Sequence, residues 1–244
     1  MKEIITIPCV IPARYASSRF PGKPLEMISG KAMIERVYEN AVAAKYADPV
    51  IVATDDERIY NYCQEKGMRV MYTSPDCDNG SVRVAEIAKD MDSPFYFELQ
   101  GDQPIVYAEI IDDFLSKATE LVSNNPSIDI VQPYSPITKD QRDDVDVVKV
   151  AVSNSGRFLT FSRKPLDTGY RTLGLYLWKR EALLNFPNLE LSDYEKSETT
   201  HLVRFVMNDL YVQGVQIDDT NWVEVDRPEH IPQIEKIIEA QGRV

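Results

Sequence analysis

Apolar and polar positions along the first half of the chain alternate between two patterns. A continuous apolar run rich in β-branched residues occupies residues 4–11, the pattern of a strand covered on both faces, and further strands are predicted at 49–53, 69–72 and 95–99. Between them, residues 32–44, 56–66, 81–91 and 109–121 place apolar side chains at helical spacing, as Met33, Val37 and Ala41 do, and Gly67 marks the end of the second helix. This alternation predicts βαβ units and a mostly parallel sheet flanked by helices, with ligands at the carboxyl ends of the strands. After Asn125 the pattern turns toward β. Strands are predicted at 128–133, 147–153, 158–162, 173–178 and 211–217, with Asn154, Ser155 and Gly156 as a hairpin turn. Helices are predicted at 179–186, 195–209 and 230–240, and no internal repeat is present.

The fold class is therefore α/β, with a smaller β-rich lobe. A length of 244 residues suits a single domain, which the change of pattern divides into halves over 1–124 and 125–244. Hydrophobic residues at 43% and charged residues at 27% fit a globular chain. A net charge of -12 argues against nucleic acid or an anionic membrane as partner. Three widely spaced cysteines, Cys9, Cys63 and Cys77, suggest neither a disulfide framework nor a zinc site, which fits a reducing cytoplasm. No apolar run reaches 18 residues, and the N-terminal stretch reads as a strand rather than a signal peptide.

Two segments carry the candidate chemistry. Residues 11–25, IPARYASSRFPGKPL, put Arg14, Arg19 and Lys23 on one loop with Gly22, Ser17 and Ser18. Cations and backbone N–H groups gathered in this way suit a triphosphate, whose charge grows at the reacting phosphorus. The loop lacks the glycine spacing of a Walker A or dinucleotide-binding motif. In ELQGDQP, residues 98–104, Asp102 follows a predicted central strand, where a carboxylate can hold Mg²⁺. Magnesium calls for a second acidic residue, and Asp226 in VEVDRPEH is the candidate. No Ser/His/Asp triad is evident, so positioning and charge neutralisation are the expected means of catalysis.

IPARYASSRFPGKPL, VATDDERI, LQGDQPIV and VEVDRPEH, in that order, resemble the signatures of the 3-deoxy-manno-octulosonate (Kdo) cytidylyltransferases. The resemblance implies a fold like that of the nucleotide-diphospho-sugar transferases, a homodimer, CTP and Mg²⁺, with the acceptor hydroxyl attacking the α-phosphorus and pyrophosphate leaving. By position it makes Arg14 and Lys23 the catalytic phosphate-binding cations and Asp102 and Asp226 the metal ligands. It puts Pro12 and Ala13 beside the nucleobase, and Ser74, Ser81, Arg83 and Gln100 around the nucleoside.

Arg163, Arg171, Tyr176 and His201 are the acceptor-binding candidates, the two arginines because a guanidinium can hold a carboxylate through paired hydrogen bonds. The chain departs from the family pattern at Val82 for an acidic residue, Thr172 for a His, and His201 and Leu202 for a Glu-Gln pair. These departures concern the acceptor: Kdo, a modified Kdo such as amino-Kdo, or in a second reading another small acid such as a phosphonate. A third reading, from a different class, is a nucleotide-binding protein without catalysis. Glu195 and Glu198, an i, i+3 pair, could contact an acceptor but read more readily as a solvated helix face.

Overall fold

The computed structural model describes residues 6–17, 19–167, 169–217 and 223–243. Residues 4 and 5 of the first predicted strand and Ser18 of the basic loop lie outside the described residues. The chain forms two compact units, Met1–Asp113 with Trp222–Val244, and Phe114–Asn221. The sequence reading divided the chain once, at 124/125; the compact units differ from it because the C-terminal stretch groups with the first.

The first unit begins with β1 (Ile7–Ala13), buried along its whole length as its apolar run requires. A loop then leads to a small hairpin, β2 (Met27–Ile28) and β3 (Lys31–Ala32). The hairpin turns through Ser29 and Gly30, and Arg36 of α1 (Met33–Ala43) donates from Nε to Ile28 O at 2.7 Å and from Nη2 to Ser29 O at 2.6 Å. Next come β4 (Ala47–Thr54), α2 (Glu57–Glu65), β5 (Val70–Tyr72), α3 (Gly80–Lys89) and β6 (Phe95–Leu99). The strands run in the order β5-β4-β1-β6 and every pair is parallel, as the alternation predicted. Asp56 caps α2 and Asn79 caps α3, each accepting a backbone N–H of the first turn. In α4 (Ala108–Asn124) the chain passes from the first unit to the second.

The second unit is built around β7 (Ile130–Pro136). The short helix α5 (Lys139–Asp143) starts with a capping box of Thr138 and Gln141, and leads to β8 (Lys149–Val152) and β9 (Phe158–Ser162). These two form an antiparallel hairpin that turns through Gly156 at φ +83°, at the predicted Asn-Ser-Gly. β10 (Tyr170–Thr172) and β11 (Leu175–Lys179) pair antiparallel with β7. The helices α6 (Arg180–Asn185), α7 (Asp193–Glu198) and α8 (Leu202–Met207) follow, and β12 (Val212–Gln216) closes the unit parallel to β7. The predicted helix at 195–209 is thus two. Thr199 is left-handed at φ +51° and ends α7, and two adjacent β-branched threonines are poor helix formers. Phe161, Trp178, Phe186 and Phe205 fill the core, meeting edge to face or tilted as aromatic quadrupoles prefer.

Residues 223–243 return to the first unit. Val225 N donates to Asp102 O at 3.0 Å, and α9 (Ile231–Ala240) is held by Ser29 N donating to Glu235 at 2.8 Å. Phe20, Ile28, Met33, Ile105, Val225, Ile234 and Ile238 form one buried cluster, so the basic loop, the hairpin and α9 share a core. Burying a side chain such as Phe20 contributes roughly 1.5–3 kcal/mol, which anchors the loop between Arg19 and Lys23.

Candidate active site

Parallel strands bring their carboxyl ends to one edge of the first unit's sheet, and the segments that follow β1 and β6 carry the candidate residues there. The loop after β1 turns tightly: Ser17 N and Gly22 N both donate to Tyr15 O, at 2.9 and 2.8 Å. Gly22 is left-handed at φ +77°, and a Cβ there would lie 3.0 Å from the Tyr15 ring, so the turn needs glycine on two counts. A single turn of 3₁₀ helix, Lys23–Leu25, starts at that glycine and sets the backbone from which Lys23 extends. The Arg58 guanidinium stacks on Tyr15, 3.2 Å from the ring centroid, and bonds to Asp56. Arg14, just past β1, is exposed.

Lys23 reaches across to the segment after β6. Its Nζ lies 2.8 Å from Asp102 Oδ2, 3.6 Å from Asp226 Oδ1 and 2.9 Å from Val225 O. Arg19 Nη2 lies 2.8 Å from the same Asp226 oxygen. Burial would lower the lysine pKa, but Asp102, Asp226 and Glu224 outweigh it and hold the ammonium above its usual value. Two residues 124 positions apart, Asp102 and Asp226, are brought within reach of one ammonium because Val225 is hydrogen-bonded to the Asp102 carbonyl. His230 Nδ1 lies 2.9 Å from Glu224 O and 3.2 Å from Asp226 N, fixing this segment from its other side.

Next to this cluster, the α3 N-terminus meets the ends of β1 and β6. Gly80 lies against Pro12, Gln100 and Glu98, where a Cβ would come within 3.1 to 3.2 Å of each. Glu98 Oε1 accepts from Gln100 Nε2 at 2.5 Å and from Ser81 Oγ at 3.2 Å. Pro12, Ser81 and Gln100 are therefore together, with Ala13 at the end of the same strand. Arg83 is buried and bonded elsewhere: it donates to Thr73 Oγ1 and pairs with Asp55 at 3.0 Å, tying α3 to the ends of β4 and β5. Ser74 N donates to Glu86 at 2.9 Å, in the segment that leads into α3.

In the second unit the acceptor candidates are distributed differently. Arg163 donates from Nη1 to Val145 O and Asp146 O, both at 3.0 Å, so backbone carbonyls hold its guanidinium. Arg171 is buried and donates from Nε to Ser135 Oγ at 3.1 Å. Tyr176 is buried edge-on to Phe205, and the His201 ring packs between Phe186 and Phe205 at centroid distances of 6.3 and 5.8 Å. Leu202 is buried, and Thr172 Oγ1 donates to Pro133 O at 3.4 Å.

Glu195 and Glu198 are not a solvated face, being 6% and 4% exposed. Glu195 accepts charge-assisted bonds from Arg204, among them Nε to Oε2 at 2.9 Å and Nη2 to Oε1 at 2.8 Å. Glu198 accepts from Ser162 Oγ at 2.8 Å and Arg163 N at 3.0 Å. The helical repeat could not reveal this, because the partners come from α8 and β9. Glu98 was also missed, although a carboxylate inside the apolar run FYFEL is a readable sign of a buried polar site.

Among the described residues no group of three or more His, Cys, Asp or Glu converges as a metal cage. Asp102 and Asp226 do converge, with an ammonium between them, and oxygen donors of this kind suit a hard divalent cation that keeps water and phosphate oxygens as its other ligands. No described helix is long and apolar enough to cross a membrane. All three cysteines are free, and burial pushes the Cys63 thiol up to about 12, which leaves it inert.

The sequence model of the family described as "Cytidylyltransferase" matches residues 8–237. The 3-deoxy-manno-octulosonate cytidylyltransferase of Syntrophotalea carbinolica is 35% identical, the match covering 95% of this chain and 98% of that one. The enzyme of the same name from Chlamydia pneumoniae is 33% identical, covering 94% and 92%. A CMP:2-keto-3-deoxy-manno-octonic acid synthetase solved in complex with CTP superposes with a TM-score of 0.87 at 28% identity, over 97% of this chain and 99% of that one. A Leptospira borgpetersenii cytidylyltransferase shares the fold at a TM-score of 0.67 and 17% identity, over 97% of this chain and 87% of that one. With strand ends that gather a basic loop and two carboxylates, and with full-length relatives above 30% identity, the chain is a nucleotidyltransferase of the 3-deoxy-manno-octulosonate cytidylyltransferase family.

Proposed function

We propose that this enzyme transfers the cytidylyl group of CTP to 3-deoxy-manno-octulosonate, or to a 2-keto sugar acid closely related to it, with release of pyrophosphate. The observation that carries this reading is the convergence of Lys23, Asp102 and Asp226 in a chain that matches the synthetases over nearly its whole length. The acceptor's anomeric hydroxyl attacks the α-phosphorus and gives up its proton to water, the bond from that phosphorus to the bridging oxygen breaks, and the electron pair leaves with pyrophosphate. Lys23 and Arg14 meet the negative charge that builds on the phosphate oxygens, a role that needs fixed cations rather than a covalent nucleophile. Pro12, Ala13, Ser81 and Gln100 line the place for the nucleoside. Asp102 and Asp226 would hold Mg²⁺, which neutralises phosphate charge when bound.

Arg171 and Arg163 are the proposed partners of the acceptor carboxylate. A carboxylate that reaches Arg163 has to displace the carbonyls of Val145 and Asp146. Thr172, His201 and Leu202, where the chain departs from its family, are occupied in packing within the second unit, which favours the Kdo-type acceptor over a phosphonate. We also propose a cytoplasmic homodimer: CTP is a cytosolic metabolite, and Leu159, Leu191, Tyr194 and Met207 of the second unit are large exposed apolar side chains that suit a partner surface. The test is pyrophosphate release with CTP, Mg²⁺ and a panel of Kdo, amino-Kdo, neuraminic-type acids and small phosphonates. Release with Kdo or amino-Kdo supports the reading. Release only with a phosphonate assigns the alternative acceptor, and no release with any acid favours nucleotide binding without catalysis.

A further inference from the structure

The two carboxylates of the site already hold cations of the chain's own. Lys23 Nζ sits 2.8 Å from Asp102 and 3.6 Å from Asp226, and Arg19 Nη2 sits 2.8 Å from the Asp226 oxygen that also faces Lys23. Both cations stand on the short loop anchored by Phe20, whereas the carboxylates belong to the hydrogen-bonded segments at 102 and 225–226. Arg19 is 36% exposed at its side chain, Lys23 15%, and both side chains are long enough to turn about the anchored loop. A divalent cation entering alone meets carboxylates that are paired, and a triphosphate entering alone meets cations that are paired.

We propose that Lys23 and Arg19 are the resting counter-ions of the metal-binding carboxylates, so that divalent cation and nucleoside triphosphate bind as a mutually dependent pair. When both arrive, the ammonium and guanidinium exchange carboxylate for phosphate oxygens while the carboxylates exchange them for the metal. Each ligand thereby removes the competitor of the other, and the coupling is reciprocal. This rests on reading the site as one for CTP and a divalent cation. It makes Arg19 a positioning residue for Asp226 in the resting enzyme, in addition to Lys23.

The test is Mn²⁺ binding to the full-length protein without nucleotide, followed by the electron paramagnetic resonance of the free ion. Lys23→Met is expected to bind Mn²⁺ more tightly than wild type, by roughly ten- to a hundredfold from the strength of a charge-assisted hydrogen bond. The gain should vanish in Lys23→Met/Asp102→Asn. Circular dichroism establishes that each variant is folded; if Lys23→Met does not fold, Arg19→Met takes its place with a smaller gain. Affinity that is unchanged or weaker in a folded variant overturns the proposal. So does calorimetry in which a CTP analogue with a methylene α–β bridge binds the wild type equally well with and without Mn²⁺. Turnover enters neither measurement, so failure of the cytidylyl-transfer reading, seen as absent pyrophosphate release, is distinguishable from failure of this one.

Discussion

Gly101 joins the end of β6 to Asp102, and replacing it by alanine tests whether the site depends on how closely β1 and β6 approach. A Cβ at this position would lie 2.9 Å from the Pro12 carbonyl oxygen, with Ile11 Cγ2 and Ile34 Cδ1 each at 3.7 Å. Ordinary carbon–oxygen contacts begin at about 3.3 Å, so the two segments have to part by roughly 0.4 Å or more. Overpacking of this kind costs about 1–3 kcal/mol. At this chain length that lowers the apparent Tm by about 2–12 °C. The displacement falls on Asp102 and on the strand end that carries Pro12, Ala13 and the basic loop. If a misplacement of 1 Å costs about a hundredfold, half of that costs about tenfold in kcat/KM. The control is Gly30→Ala, where φ is +83° and nothing lies within 4 Å of an added Cβ. That change costs about 1–2 kcal/mol of backbone strain but moves no part of the site. Thermal melts and pyrophosphate release measured on both variants separate the effects. Gly101→Ala with wild-type kcat/KM, or Gly30→Ala with an equal loss of kcat/KM, would refute the reasoning.

Other perturbations act on different parts of the chain. Lys23→Ala removes the cation that faces the reacting phosphate and should lower kcat/KM by about a thousandfold in pyrophosphate release, with a far-UV spectrum like that of wild type. Glu195→Gln leaves Arg204 buried without its partner charge and should cost about 3–5 kcal/mol in chemical denaturation, whereas Glu195→Leu/Arg204→Met should recover much of it. For Glu35 and Glu198 burial opposes the charged form, yet hydrogen bonds from Tyr62 and Lys66, and from Ser162, Arg163 and Lys164, leave both carboxyls below their ordinary 4.5. Their contribution is complete above that pH and is lost as pH falls through the lower folded values, so denaturation midpoints should drop on acidification below 4.5, and less so in Glu198→Gln.

How far the sequence could be read depended on the range of the interactions. The strand β6 over Phe95–Leu99 and the hairpin at Asn154–Gly156 were legible because a residue's neighbours in the chain decide them. That Lys23, Asp102 and Asp226 belong to one site was read only through chemistry and the family resemblance, since a metal and a triphosphate together call for cations and carboxylates; their direct ion pairing was not read, because no local pattern links positions so far apart. Glu195 and Glu198 were misread because helical periodicity sees one helix at a time, while their partners Arg204 and Ser162 stand on other elements. The β10 strand was missed for a similar reason: three residues carry too little periodicity, and pairing with β7 is what defines it.

The most direct measurement follows the phosphorus itself, by ³¹P resonance of a reaction containing CTP, Mg²⁺ and Kdo. The account predicts one new phosphodiester signal, from CMP joined to the sugar acid, growing in equal amount with pyrophosphate as CTP disappears. Release of CMP without the phosphodiester, formation of CDP with a phosphorylated acid, or CTP that persists unchanged would contradict it.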